Sequence, residues 1–264
     1  MGENLKMHRQ VEQTEQVESF RLYGEDTGSP FLFVSDHAGR KIPSFLADLG
    51  VSEAVRATHI GWDIGIDGVG QVLAKKLSAL LIEQQYSRLV IDCNRAPGHP
   101  TSIVSVSDGV VIPANQNISP EERTWREQAI LFPYHDRITQ ELDKRQHQGR
   151  DTLLVALHSF TPIMDGFARP WHVGVLHNRD ARFGAIMFRL LQAEGFTVGD
   201  NEPYRLTDFS DYTVPFHAEK RSLPYLEIEI RQDLISSVQG QEEWAERLSR
   251  LLPHAWQEFQ TIYG

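Results

Sequence analysis

Short unbroken apolar runs, rather than long alternating ones, mark the strands of this chain. Phe31–Ser35 is the first, with Gly28-Ser29-Pro30 before it and Gly39 after it. A run of this length between turn residues predicts a buried strand. Leu89–Cys93 and Leu153–Leu157 have the same character, and His172–Leu176 and Tyr225–Ile230 add two more. Elsewhere the period is helical. Val69, Val72, Leu73, Leu77 and Leu80 predict a helix from Asp67 to Leu81. Ser119, Pro120 and Glu122 form a helix start, with a capping serine, a first-turn proline and a glutamate at the capping-box position. That helix is expected to reach His147, broken or kinked at Pro133. Phe183–Glu194, ended by Gly195, and Glu242–Ile262 give the last two helices. Residues 96–118 hold Pro97, Gly98, Pro100, Gly109 and Pro113 and read as irregular. Residues 1–19 are polar and read as an arm, leaving 20–264 as one domain. Strands alternating with helices predict a three-layer α/β fold, a mostly parallel mixed sheet with helices on both faces.

Composition narrows the options. The 264 residues suit a single α/β domain, and 41% hydrophobic content can build a sizeable core. A formal charge of −10 argues against a nucleic-acid partner, though it leaves room for a local basic pocket that takes a small anion. Cys93 is the one cysteine, so no intrachain disulfide can form, which fits a reducing cytoplasm. The opening residues carry no signal-peptide core, and no stretch is apolar for long enough to span a bilayer. A cytoplasmic protein without a membrane partner is expected; its oligomeric state stays open.

In open α/β sheets, ligands bind beyond the carboxyl ends of the strands. Asp36-His37, Asp92 with Asn94 and Arg95, His158-Ser159, and His177-Asn178 stand at such ends. Two histidines and a carboxylate make a common catalytic zinc set with one position left for water. His37 and His158 are the histidine pair, and Asp63, in HIGWDIGID, is the candidate third ligand; Asp67 better suits a helix N-terminus. Glu227, Glu229 and Arg231 share one face of their strand, and Leu226, Ile228 and Ile230 share the other. Unpaired buried carboxylates are costly. The stretch is therefore either a solvated Glu–Arg ladder or a general base, with Arg231 holding a neighbouring carboxylate. Either glutamate suits the base. Other chemistries have weaker support. Ser159 lacks a GxSxG frame, Cys93 sits beside Asp92, no GxxxxGK loop occurs, and WDIGIDGVG resembles a dinucleotide motif only superficially.

Taken in order, DHAGRKIP (36–43), WDIGID (62–67), SRLVIDCNR (87–95), HSF (158–160), NEPY (201–204) and YTVPFHAEKRSLPYLEIEIRQDL (212–234) resemble the N-formylglutamate amidohydrolase family. That family is related to zinc carboxypeptidases and aspartoacylases. The resemblance implies a zinc-peptidase-like fold and one divalent ion, Zn²⁺, held by His37, Asp63 and His158. It implies Glu229 as the base, His217 as a donor to the developing oxyanion, and Asn94, Arg95, Asn201 and Tyr204 as substrate-binding residues. Arg88 competes with Arg95 for the substrate carboxylate and otherwise reads as a surface residue. Arg40 stands three residues after His37, where the aspartoacylase-like pattern has a glutamate. The implied reaction splits N-formyl-L-glutamate into formate and L-glutamate. Another N-acyl or N-carbamoyl amino acid, a small peptide, or a non-catalytic binder of a carboxylated ligand are the alternatives.

Overall fold

The structure, a computed structural model, describes residues 18–264. The expected N-terminal arm lies outside them except for Glu18 and Ser19. In chain order the strands are β1 (Phe20–Tyr23), β2 (Phe31–Ser35), β3 (Leu80–Gln84), β4 (Val106–Ser107), β5 (Val110–Val111), β6 (Leu153–Phe160), β7 (Ile163–Met164), β8 (Phe167–Ala168), β9 (Val173–Leu176), β10 (Val198–Asp200) and β11 (Tyr225–Arg231). The main helices are α1 (Ile66–Lys76), α2 (Pro120–Arg126), α3 (Phe132–His147), α4 (Arg182–Ala193) and α5 (Val238–Tyr263). Seven strands form one mixed sheet in the order β1-β3-β2-β6-β11-β9-β10. Its centre, β3-β2-β6-β11, is parallel. At one edge β1 is antiparallel to β3, and at the other β9 is antiparallel to β11 and carries β10 in parallel. The pairs β4-β5 and β7-β8 are small separate hairpins.

Alternation along the central strands separates two apolar layers. Phe31 and Phe33 pack with Ile66, Leu73, Met187, Trp244 and Leu248, from α1, α4 and α5. Leu32 and Val34 pack with Tyr134 and Ile138 of α3 and with Leu89, Ile91 and Cys93. Helices thus cover both faces of the sheet, the three-layer arrangement that its alternating pattern predicts. Among the described residues no helix is long and apolar enough to cross a membrane.

Three expectations need correction. Leu89–Cys93 is a chain of turns rather than a strand. Val90 N–H donates to Ser87 O (2.8 Å), and Asp92 N–H donates to Ser102 O (2.7 Å). Its unbroken apolar character reports burial, which turns also achieve when their polar groups are satisfied locally. The strand comes earlier, at Leu80–Gln84, because α1 stops at Lys76 and Ser78 takes a left-handed φ of 48°. At Pro133 the helix neither breaks nor ends. A single π-turn, Glu127–Leu131, joins α2 to α3, and the wider turn accommodates a residue without N–H. Finally, β9 runs against the central strands, so His177 and Asn178 leave it toward their amino ends, opposite the expected edge.

Two glycines are required next to the site. A Cβ on Gly39 would lie 2.0 Å from the Gln85 carbonyl carbon, so the turn after His37 can close only without a side chain. Gly65 has φ +80° at the start of α1, and a Cβ there would meet Ile235 O at 2.0 Å.

On β3, Glu83 is buried without a hydrogen-bond partner for either oxygen; Arg21 Nη2 stands 3.5 Å away. Burial pushes its carboxyl up to about 8, with Arg21 opposing. The folded state thus keeps a proton that the unfolded chain loses near 4.5. Glu83's contribution to stability is complete below that value and is lost as pH rises through about 8. Between pH 6 and 9 the melting temperature should therefore fall in the wild type and less in Glu83→Gln, a divergence on the order of a few kcal/mol. Parallel melting curves would refute this reading of Glu83.

Candidate active site

The carboxyl ends of β2 and β6, the middle of β11 and the turn before α1 meet at one cavity of about 270 Å³. That is room for a small ligand. His37 follows β2, His158 lies within β6, and Asp63 precedes α1. A backbone bond from Asp63 N–H to His37 O (2.9 Å) fixes the two loops to each other. Asp63 Oδ2 accepts from Ser159 N–H (3.1 Å) and from His158 Nδ1 (3.0 Å), and lies 3.6 Å from His37 Nδ1. One ligand-type atom from each of these three buried residues falls within 4.8 Å of the others.

The outward nitrogen of each imidazole meets another buried carboxylate. His37 Nε2 donates to Asp92 Oδ1 (2.7 Å), and His158 Nε2 lies 3.4 Å from Asp36 Oδ2. Carboxylates behind histidines are how metal sites orient their ligands and raise their basicity. Arg88 completes the group, donating from Nη2 to Asp92 Oδ2 (3.0 Å) with Nη1 3.6 Å from Asp63 Oδ1.

Charge is what this group lacks. Burial raises the carboxyls of Asp36, Asp63 and Asp92, but the surrounding histidines, with Arg88 beside Asp92, more than offset it. All three are held below the usual carboxylate range, Asp36 at about 2, and stay ionised. Both imidazoles are raised in turn: burial and, for His37, Arg88 lower them, but the neighbouring aspartates win. Three anionic aspartates around one arginine and two histidines therefore draw in positive charge. The donor set, two nitrogens and a carboxylate oxygen, suits a divalent ion of the zinc type.

Glu229 stands level with His158 across the β6–β11 pair. It and Glu227 line the cavity, at 6% and 2% exposure, each with an Oε2 that has no partner. The solvated ladder is thereby excluded. Burial raises both carboxyls; His158 opposes it at Glu229, while Asp211 adds to it at Glu227. Arg231 does not reach this face, pairing with Asp233 (2.8 Å) and donating to Trp171 O. Arg40 turns outward, 4.9 Å from the Trp62 ring centre, so no ligand comes from that position.

The expected substrate residues separate. Arg95 and Tyr204 line the cavity; Tyr204 OH accepts from Arg169 (3.0 Å). Asn94 also lines it, but its carboxamide is committed: Oδ1 accepts from Tyr212 and Thr213 N–H, and Nδ2 donates to Asp211. Asn201 is off the cavity, its Oδ1 accepting His177 N–H (2.8 Å) in a left-handed turn after β10. His217 is off it as well. His135 Nε2 donates to Cys93 O (2.8 Å), leaving Nδ1 to accept from His217 Nε2 (2.9 Å). Burial lowers both imidazoles, so His217 is a neutral donor already occupied and cannot serve an oxyanion. Cys93 is buried with its thiol pushed well up, which agrees with the doubt about a thiolate.

Sequence reasoning missed three features. Asp36 and Asp92 stood out only as strand-end residues, since their pairing with His158 and His37 depends on the fold. Arg88 read as a surface residue because its segment read as a strand. Arg205 carried no signal at all, yet it lines the cavity. Among the described residues, Arg205 and Arg95 have no carboxylate at ion-pair distance.

The family model for N-formylglutamate amidohydrolase matches residues 29–236. A curated N-formylglutamate deformylase of Pseudomonas putida is 27% identical over 165 residues, covering 56% of this chain and 60% of that protein. A gene product of Agrobacterium tumefaciens with a known crystal structure is 33% identical, with a TM-score of 0.90 over 93% of this chain and 97% of that one. The crystal structure of an N-formylglutamate amidohydrolase from Ralstonia eutropha gives a TM-score of 0.70 at 21% identity, covering 91% of this chain and 98% of that one.

Proposed function

Because the chain belongs to the N-formylglutamate amidohydrolase family, we propose that it is a metal-dependent amidohydrolase that splits N-formyl-L-glutamate into formate and L-glutamate. The observation that carries this reading is the meeting of two unlike parts on one cavity wall: the His37, Asp63 and His158 donor set, and the unpartnered carboxylate oxygen of Glu229. His37, Asp63 and His158 would hold the ion. Once bound, Zn²⁺ would supply Lewis acidity toward the amide carbonyl and toward water.

The remaining work belongs to the chain. Glu229 takes the proton of the attacking water at its carboxylate and returns it to the leaving nitrogen. Arg88, already beside Asp63, directs its charge at the carbonyl oxygen as negative charge develops there. Arg95 is held in place by Ser210 O, Asn94 O and Thr101 Oγ1 through Nη1 and Nε, which leaves Nη2 to meet one carboxylate. Arg205 provides the second cation, and glutamate carries two carboxylates.

The test is a metal-replete screen of N-formyl, N-acetyl and N-carbamoyl derivatives of glutamate, with N-formylglutamine alongside, reading the released amino acid. N-Formylglutamate should be the best substrate. Turnover of an N-acetyl or N-carbamoyl compound in preference to it would replace the acyl group in this reading, and release from none would remove the activity.

Within that reading the arginines divide. Arg95→Ala and Arg205→Ala should each raise KM by about 10- to 100-fold, roughly 1.4–2.7 kcal/mol of binding, with little change in kcat. Arg88→Ala should lower kcat instead. The reverse pattern, with Arg88→Ala raising only KM, would exchange the roles of Arg88 and Arg95.

A further inference from the structure

Each histidine of the donor set is backed by a carboxylate, and both carboxylates lead to one residue. Asn94 N–H donates to Asp92 Oδ1 (2.9 Å), the same oxygen that accepts from His37 Nε2. At its other end, Asn94 Oδ1 accepts from Thr213 N–H (3.0 Å). Thr213 Oγ1 then donates to Asp36 Oδ1 (2.7 Å), leaving Oδ2 facing His158 Nε2 at 3.4 Å. All four residues are buried: Asp36, Asp92, Asn94 and Thr213 are 1%, 6%, 3% and 0% exposed.

We propose that Asn94 and Thr213 are positioning residues, which lock the two metal-facing imidazoles into one geometry by holding the carboxylates behind them. The inference rests on the metal reading above and deepens it. A carboxylate with a single partner can still turn about its own bond. With Oδ1 held by Thr213, Asp36 can turn only Oδ2 to His158, at ion-pair distance from the ring nitrogen that points away from Asp63. Asp92 is held likewise, by Asn94 N–H at Oδ1 and by Arg88 at Oδ2. Because Asn94 belongs to both arms, the ligands from β2 and β6 are fixed relative to each other through the 92–95 and 211–213 segments, not only through the sheet. This accounts for the Asn94 carboxamide being spent inside the protein although the residue borders the cavity.

The experiment uses the full chain, stripped of metal and titrated with Zn²⁺ against a chromophoric chelator, with melting temperature, KM and kcat measured in parallel. Thr213→Val keeps the shape and removes the hydroxyl. It should weaken Zn²⁺ affinity by about 10- to 100-fold and lower kcat, with KM unchanged. Thr213→Ser, which keeps the hydroxyl, should stay close to the wild type. If Thr213 acts through Asp36, its effect disappears once the Asp36 carboxylate is removed, so Thr213→Val on top of Asp36→Ala should weaken Zn²⁺ binding little further. Should Thr213→Val not fold, Thr213→Ala replaces it in the same comparison. Unchanged Zn²⁺ affinity with a lowered melting temperature would reduce Thr213 to a packing residue and overturn the proposal. So would additive losses in the double variant. A wild-type chain that binds no Zn²⁺ would overturn the metal reading itself, an outcome separable from both.

Discussion

Glu229→Gln is expected to lower kcat by a factor on the order of 10² to 10⁴ while leaving the metal bound. Glutamine preserves the size of the side chain and most of its hydrogen-bonding capacity, so what is lost is the ability to accept a proton. Glu229 lines the cavity with an Oε2 that has no partner to compete for the proton, as Glu227 does, but of the two it is the one level with His158 in the β6–β11 register. Burial makes the carboxylate a stronger base than one in water, and the charge of His158 keeps that rise in check. Glu227 shares the strand face and the cavity, but there Asp211 and Glu229 add to burial and outweigh His158, which pushes its carboxyl well up and favours its protonated form. Measuring kcat and metal content for both glutamine variants separates the two. An active, metal-loaded Glu229→Gln beside an inactive, metal-loaded Glu227→Gln would move the base to Glu227. Full activity in both would end the water-activation scheme.

The candidate ligands could be read from the chain because a parallel sheet brings strand ends to one edge, and His37 and His158 belong to two adjacent parallel strands. Asp63 was visible only as a carboxylate in a conspicuous motif; the backbone bond to His37 that brings it into the site joins residues 26 positions apart. The failures have a common physical origin. An apolar run reports burial and not backbone shape, so Leu89–Cys93 read as a strand and Arg88 as its exposed start. Polar side chains such as His217 and Asn201 can satisfy interior groups as readily as ligands. His217 is consumed by His135 and Asn201 by a backbone N–H, and no spacing in the sequence distinguishes those uses from binding. The reversal of β9 is also invisible locally, since its direction is set by the partner it meets across the sheet.

Removing the metal should abolish turnover, and Zn²⁺ should restore it in the wild type but not in His158→Ala. The charge distribution gives the reason. Asp36, Asp63 and Asp92 are buried and ionised around a single arginine, and without a cation both histidines are driven toward protonation. A protonated imidazole has no lone pair for a metal or for the reacting group, so the metal-free site is organised as an ion-pair cluster rather than a catalyst. Zn²⁺ must displace those protons to bind, and its affinity should therefore weaken as pH falls. The folded chain alone presents the converged donors, so saturating metal should raise the melting temperature, by the equivalent of roughly 4 kcal/mol at a thousand times Kd. His158→Ala removes one donor and also strips Asp36 of its imidazole, leaving a buried aspartate held only by Thr213. That variant should lose both the rate and the metal-induced thermal shift. The decisive measurement pairs metal content with rate on the same chelator-treated sample. Full turnover with no measurable metal would assign the chemistry to Glu229 and Arg88 alone, and His37, Asp63 and His158 would then be an ion-pair cluster that shapes the cavity.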